Sequence, residues 1–210
     1  MEYIKIENLT KSLKGDIVLN NINLNLKKGK IYGFYGRNGS GKTMLFRAIA
    51  GLIKPSKGRV IIDDKVLFED IEIPNKLGII IENPGFWDEY TGFCNLKMLA
   101  LIRNEISDNQ IKQTMERLGL NPNEKKIYKK YSLGMKQKLA ICQAIMEEPE
   151  LIILDEPTNA LDEDTVNIVR EILIEERKKG TIVLIASHNK QDIDLLCDEK
   201  YEISGGKIIV

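Results

Sequence analysis

Gly36-Arg37-Asn38-Gly39-Ser40-Gly41-Lys42-Thr43 follows the short apolar run Ile31–Tyr35 and leads into a stretch with helical periodicity. The eight residues match G-x-x-x-x-G-K-[ST] in the strand-to-helix setting that gives this pattern its meaning. Glycines let the backbone fold so that several N–H groups point at one phosphate. The helix amino terminus adds a dipole that favours the anion. Lys42 is then placed to reach the β- and γ-phosphates, and Thr43 to ligate Mg²⁺. The plain alternative, a glycine-rich turn, does not call for the lysine and the hydroxyl together. The stretch reads as a nucleoside triphosphate site.

Further along, Leu151-Ile152-Ile153-Leu154-Asp155-Glu156 puts two acids at the carboxyl end of a continuous apolar run. Ligands of open α/β sheets bind at that edge. Asp155 is suited to hold Mg²⁺ directly or through water, and Glu156 to polarise an attacking water. His188, the one histidine of the chain, ends another apolar run, Ile182–Ala186. Its position beyond Glu156 points to the γ-phosphate or the attacking water.

The four short apolar runs Ile31–Tyr35, Leu77–Ile81, Leu151–Leu154 and Ile182–Ala186 read as strands of a parallel sheet buried on both faces. The first thirty residues alternate instead, with Ile4 and Ile6 set against Lys5 and Glu7, and Ile22, Leu24 and Leu26 against asparagines. That period suits an antiparallel sheet with one solvated face, joined by Arg59–Asp63. Helices are expected at Leu96–Arg103, Gln110–Leu118, Ser132–Met146 and Asp162–Lys179. The last is acidic at its start, basic at its end and stopped by Gly180.

Composition excludes several classes. With 31 basic and 31 acidic residues the formal net charge is zero, which argues against a chain built to grip phosphate backbone non-specifically. No apolar run approaches the roughly 20 residues of a membrane span, and the amino terminus has no signal-peptide core. Cys94, Cys142 and Cys197 are odd in number with no C-x-x-C spacing, so neither a disulfide frame nor a zinc site is indicated. A cytosolic chain is expected. With the sequence ending at Val210, soon after the last expected strand, no extra carboxyl-terminal domain is expected.

Taken together, these residues resemble the nucleotide-binding subunit of an ATP-binding cassette (ABC) transporter. The stretch that carries the resemblance is Tyr131-Ser132-Leu133-Gly134-Met135-Lys136-Gln137, followed by a helix and LIILDEPTNALD. It is similar to the family's signature loop, usually LSGGQ, in the YSLGM form of bacitracin-export and lantibiotic-immunity ATPases. The order of phosphate loop, Glu82, signature, Asp155-Glu156, Asn159–Asp162 and His188 matches over essentially the whole chain.

The resemblance implies an α/β P-loop NTPase fold of the ABC-ATPase kind. A RecA-like parallel-sheet core would span 31–56, 69–82 and 150–210, with an antiparallel β subdomain at 1–30 and 57–68 and a helical insert at 83–149. It implies ATP and Mg²⁺ as cofactors, ATP being held by Gly36, Arg37, Asn38, Gly39, Ser40, Gly41, Lys42 and Thr43. Glu156, His188 and Lys42 would be catalytic, and Thr43, Glu82 and Asp155 would hold the metal. Two subunits would pack head to tail, so that Ser132, Gly134 and Asp162 of one chain meet ATP held by the other. Asp162 also reads as a helix N-cap, and the two roles are compatible. The partners implied are a separate transmembrane permease and a second, identical ATP-binding chain. The chain would then sit on the inner face of the membrane.

Two positions depart from the family pattern. Glu82 stands where most members carry glutamine; it can ligate Mg²⁺ but cannot donate a hydrogen bond while ionised. Leu13 stands where an aromatic residue usually stacks on adenine, which should loosen the preference for ATP over GTP; Tyr3 is the nearby candidate to replace it. The aromatic group Phe86, Trp87 and Tyr90 reads as core, and the resemblance adds a groove for a coupling helix of the membrane subunit. Lys125, Lys126, Lys129 and Lys130 read as a solvated face. YSLGM and Glu82 lean toward export of a peptide antibiotic or other toxic compound. A soluble ABC ATPase acting on nucleic acid or the ribosome is the alternative, opposed by one compact cassette and zero net charge. A nucleotide-binding regulator without turnover is opposed by Lys42, Glu156 and His188.

Overall fold

The computed structural model describes residues 2–82, 84–188 and 190–209. Asn83, which was expected to open the helical insert, and Val210 lie outside the described residues. Strands β1 (Glu2–Leu13), β2 (Asp16–Lys27), β4 (Lys57–Ile62) and β5 (Lys65–Val66) form an antiparallel sheet in the order β2-β1-β4-β5. The register sets Ile4 against Leu26 and Ile62, and Ile6 against Leu24 and Val60. All six are buried, while Lys5, Asn23 and Asn25 face outward. The alternation in the sequence is therefore the imprint of a sheet with one wet face.

The second sheet has the order β10-β9-β3-β8-β7-β6, built from β3 (Ile31–Tyr35), β6 (Leu77–Ile80), β7 (Leu151–Asp155), β8 (Ile182–Ser187), β9 (Glu199–Ser204) and β10 (Lys207–Ile208). Every pairing in it is parallel except β9 with β10. Its central strands feed two cores. Leu151, Ile153, Leu184 and Ala186 face a core shared with the antiparallel sheet and helix α1 (Lys42–Ile49). Ile152, Leu154, Val183 and Ile185 face a second core, which takes residues from α2 (Gly92–Arg103), α3 (Asp108–Arg117), α4 (Leu133–Ile145), α5 (Glu163–Lys178) and α6 (Lys190–Leu196). A strand with an apolar layer on each side must be apolar at both parities, which is why these runs do not alternate.

Two packing details set up the functional edge. Phe46 of α1 meets Phe34 of β3 edge to face, with ring centroids 5.4 Å apart, and so seats the helix that follows the phosphate loop. On the opposite flank, α4 comes so close to β6 that a Cβ on Gly78 would stand 1.8 Å from the carbonyl oxygen of Ala144. The aromatic group at the start of the insert is only partly core. Phe86 packs edge to face on Tyr128, at 5.2 Å, whereas Trp87 and Tyr90 are half exposed. Their backbone is tied instead to Asn95, fully buried on α2, which accepts from Trp87 N–H at 2.8 Å and donates to the Trp87 carbonyl at 3.0 Å. The four lysines ahead of α4 are exposed, as expected.

Candidate nucleotide site

Because β3 and β7 are parallel, their carboxyl ends open on the same edge, with β8 between them. The phosphate loop leaves β3 and Asp155 ends β7, so two stretches far apart in sequence meet. A cleft of about 770 Å³ lies there, lined by Asn38 through Thr43, Glu82, Asp155 and Glu156. Its size is that of a nucleotide-scale ligand site.

The loop owes its shape to residues without side chains. Gly36 has φ of 152°, and a Cβ there would stand 2.2 Å from the Ile203 carbonyl oxygen. Gly41 caps α1 in a left-handed conformation, with no side chain competing for the helix's first N–H groups and no acid in the first turn. Those donors are left for an anion. Lys42 is nearly buried, and its ammonium donates to the carbonyls of Gly36 at 2.8 Å and Arg37 at 3.3 Å. Ser40 Oγ is buried and has no partner among the described residues. An orphaned hydroxyl in a loop of this shape fits a phosphate oxygen.

Thr43 Oγ1 donates to Asp155 Oδ2 at 2.5 Å. Burial holds the Asp155 carboxyl above its usual pKa range; the Thr43 hydrogen bond opposes this, and the charges of Glu156 and Glu82 push it further up. A hydroxyl and a carboxylate side by side are hard oxygen donors, the set that Mg²⁺ takes when substrate phosphates and water complete its shell. No group of three or more His, Cys, Asp or Glu side chains among the described residues could hold a metal unaided.

Glu156 leaves β7 with φ of 52°, a left-handed turn for a non-glycine residue, and its N–H donates to the Ala186 carbonyl. This turn aims its carboxylate at the start of the segment after β8. His188 N–H donates to Oε1 at 2.8 Å, His188 Nδ1 lies 2.8 Å from Oε2, and Ser187 Oγ donates to Oε2 at 3.4 Å. The sequence pointed His188 at phosphate or water; in the structure it holds the carboxylate. Glu82 also follows its strand with positive φ, 61°, and its carboxylate accepts from Arg47 at 2.7 Å.

Leu133 and Gln137 of the signature stretch line the cleft, whereas Ser132, Gly134 and Asp162 are set back from it. Ser132 caps α4 by accepting from Met135 N–H at 3.2 Å, and a Cβ on Gly134 would be 3.0 Å from the Ala160 carbonyl oxygen. Asp162 caps α5 by accepting from Thr165 N–H at 2.9 Å, and that bond holds its carboxyl below the usual range. None of the three lines the cleft around Lys42. Gln137, one turn into α4, donates to the Pro157 carbonyl at 2.9 Å and ties the signature helix to the segment after Glu156. Gln137→Ala should lower stability by about 1 kcal/mol in urea unfolding, the worth of one hydrogen bond.

Sequence reading missed the other wall. Ile17 and Val18 of β2 line the cleft, together with Gly205 and Gly206 of the β9–β10 turn. Gly206 N–H donates to the Ser40 carbonyl at 2.9 Å and props the loop from behind. The Gly-Gly pair was a visible turn signal, but nothing local assigned that turn to the loop. Leu13 is exposed at the end of β1, paired with Asp16, and is not a lining residue. Tyr3 cannot replace a stacking aromatic. It is buried in the core under the Lys28 ammonium, and burial pushes its phenol to about 12.

Comparison with known proteins bears on this geometry. The family model described as ABC transporter matches residues 19–159. The uncharacterized ABC transporter ATP-binding protein YybJ of Bacillus subtilis is 48% identical over 98% of this chain and 94% of its own length. The bacitracin transport ATP-binding protein BcrA of Enterococcus faecalis is 43% identical over 94% of this chain, which spans 65% of that protein's length. The lantibiotic transport ATP-binding protein SrtF of Streptococcus pyogenes is 35% identical over 99% of this chain and 89% of its own. Among solved structures, cbiO1 from Clostridium perfringens, part of an ABC transporter complex, superposes with a TM-score of 0.83 at 28% identity, over 100% of this chain and 88% of that one. A dimeric bacterial ABC transporter cassette, at 22% identity, shares the fold with a TM-score of 0.89 over 99% and 97%. The chain belongs to the ABC transporter family and is one of its ATP-hydrolysing nucleotide-binding chains.

Proposed function

We propose that this chain binds Mg-ATP in the cleft, pairs head to tail with a second copy around two nucleotides, and drives separate membrane subunits that export a peptide antibiotic or another toxic compound. The observation that carries the catalytic part is the assembly of Lys42, Thr43, Asp155 and Glu156 on one sheet edge, with Glu156 held by His188. Names of relatives concerned with bacitracin and lantibiotic transport support the export part.

In this reading the loop N–H groups and Lys42 bind the phosphates. Thr43 and Asp155 would hold Mg²⁺, and Glu82 is the proposed third oxygen donor at the rim. Mg²⁺, when bound, supplies positive charge that offsets the charge developing on the phosphates. Glu156 takes a proton from the attacking water as the water oxygen bonds to the γ-phosphorus and the bond to the β–γ bridging oxygen breaks, leaving ADP and phosphate. The backbone N–H and ring of His188 fix the carboxylate for that transfer. Ser132 and the amino terminus of α4 would meet the γ-phosphate of ATP bound to the other copy, with Asp162 at the interface between the two. Closure around ATP and release after hydrolysis then become two states of the dimer.

No helix among the described residues is long and apolar enough to cross a membrane, so membrane association would come through partners on the cytoplasmic face. The cleft of about 230 Å³ walled by Leu52, Ile79, Phe86 and Trp87 is our candidate seat for the membrane subunit's helix. The test is capture of the tagged Glu156→Gln chain from detergent-solubilised native membranes, with and without ATP, followed by mass spectrometry. A polytopic membrane protein retained only with ATP is the expected result. Ribosomal proteins or nucleic acid in its place would overturn the transport reading and leave the ATPase chemistry standing.

A further inference from the structure

Helix α1 does more than follow the phosphate loop. Thr43 and Arg47 are four residues apart and share one face of the helix. The Thr43 hydroxyl bonds Asp155 at the end of β7, and Arg47 Nη2 donates to Glu82 Oε1 at 2.7 Å just beyond β6. These two strands are parallel neighbours. One helix face therefore clamps the acids of two adjacent strand ends.

The clamp matters because of what else is there. Glu82, Asp155 and Glu156 are three carboxylates lining one cleft, and the Glu82 charge is felt at Asp155. A polyanionic ligand entering such a site meets like charge. Lys42 donates to the loop carbonyls of Gly36 and Arg37 rather than to Glu82, and in the proposed function its charge serves the phosphates. Arg47 is the cation that Glu82 touches. Its side chain is 32% exposed, against 64% for Glu82, so the guanidinium is the anchored partner and the carboxylate the one it restrains. An ion pair this exposed adds little to folding stability. Its effect should fall on the site.

We infer that Arg47 is a positioning residue that neutralises and restrains Glu82 at the rim of the nucleotide cleft, so that a carboxylate is tolerated there. This rests on the reading of the cleft as a nucleotide site.

A double-mutant cycle tests it, with binding of a non-hydrolysable ATP analogue followed by calorimetry and turnover by phosphate release. Arg47→Gln should weaken analogue binding about tenfold, a coupling of ordinary size for charges in contact. In a Glu82→Gln background the same change should cost less than about twofold, since no charge is left to offset. Arg47→Lys should recover most of the affinity, and the melting temperatures of all variants should stay close together. Equal losses in both backgrounds, or no loss in either, would overturn the inference while analogue binding by the unmodified chain stands. Failure of the unmodified chain to bind the analogue would overturn the nucleotide reading itself, and the inference with it.

Discussion

Glu156→Gln should lower ATP turnover about 10²- to 10⁴-fold, the range for losing a positioned general base, with ATP binding kept. The physical case lies in what the substitution keeps. Glutamine has nearly the same shape and retains an oxygen to accept the His188 N–H that now meets Oε1 at 2.8 Å. The left-handed turn at Glu156 and its N–H bond to the Ala186 carbonyl do not involve the side chain. Lys42, Thr43 and Asp155 are untouched, so the phosphates keep their donors. What disappears is the basic oxygen pair, and an amide cannot accept a proton from water at neutral pH. Phosphate release at saturating ATP, alongside calorimetric ATP binding, separates the two effects. Turnover within tenfold of the unmodified chain would remove Glu156 from the role of base.

Gly78→Ala should destabilise the chain by about 3 kcal/mol in urea unfolding, at the upper end of overpacking costs. The added methyl would stand 1.8 Å from the Ala144 oxygen and 2.8 Å from its carbon, both backbone atoms of α4 that no side-chain rotation can move aside. Either β6 or α4 must shift by more than an ångström. Such a shift strains the Gln137–Pro157 bond at 2.9 Å, and with it the tie between the signature helix and the segment after Glu156. Gly85→Ala is the matched control. A Cβ there meets nothing within 4 Å, so its effect should stay within about 0.5 kcal/mol. A Gly78→Ala chain as stable as the control would mean that α4 slides freely on β6.

How far each feature could be read from the chain follows from the range of the interaction behind it. Residues 36–43 act through their own backbone and an adjacent helix, so the pattern of glycines, lysine and threonine announces the loop directly. The helix cap Asp162 was legible for the same reason, since it bonds an N–H three residues on. The double-sided burial of β7 and β8 was visible as continuous apolar runs, because each strand's two faces print both parities into a short window. Trp87 and Tyr90 were misread as core because aromatic composition does not say which face of a loop is covered.

Contacts across the sheet edge left no such mark. Thr43 and Asp155, Arg47 and Glu82, Glu156 and His188, and Gly206 and Ser40 each join residues from different elements. Nothing in the window around one member names the other. Arg47 looks like any charged residue near a helix end until β6 brings Glu82 beside it, and Gly78 looks like any strand glycine until α4 arrives. Chemistry carried by a continuous stretch is written in that stretch, whereas chemistry shared between strand ends exists only after parallel pairing has set those ends side by side.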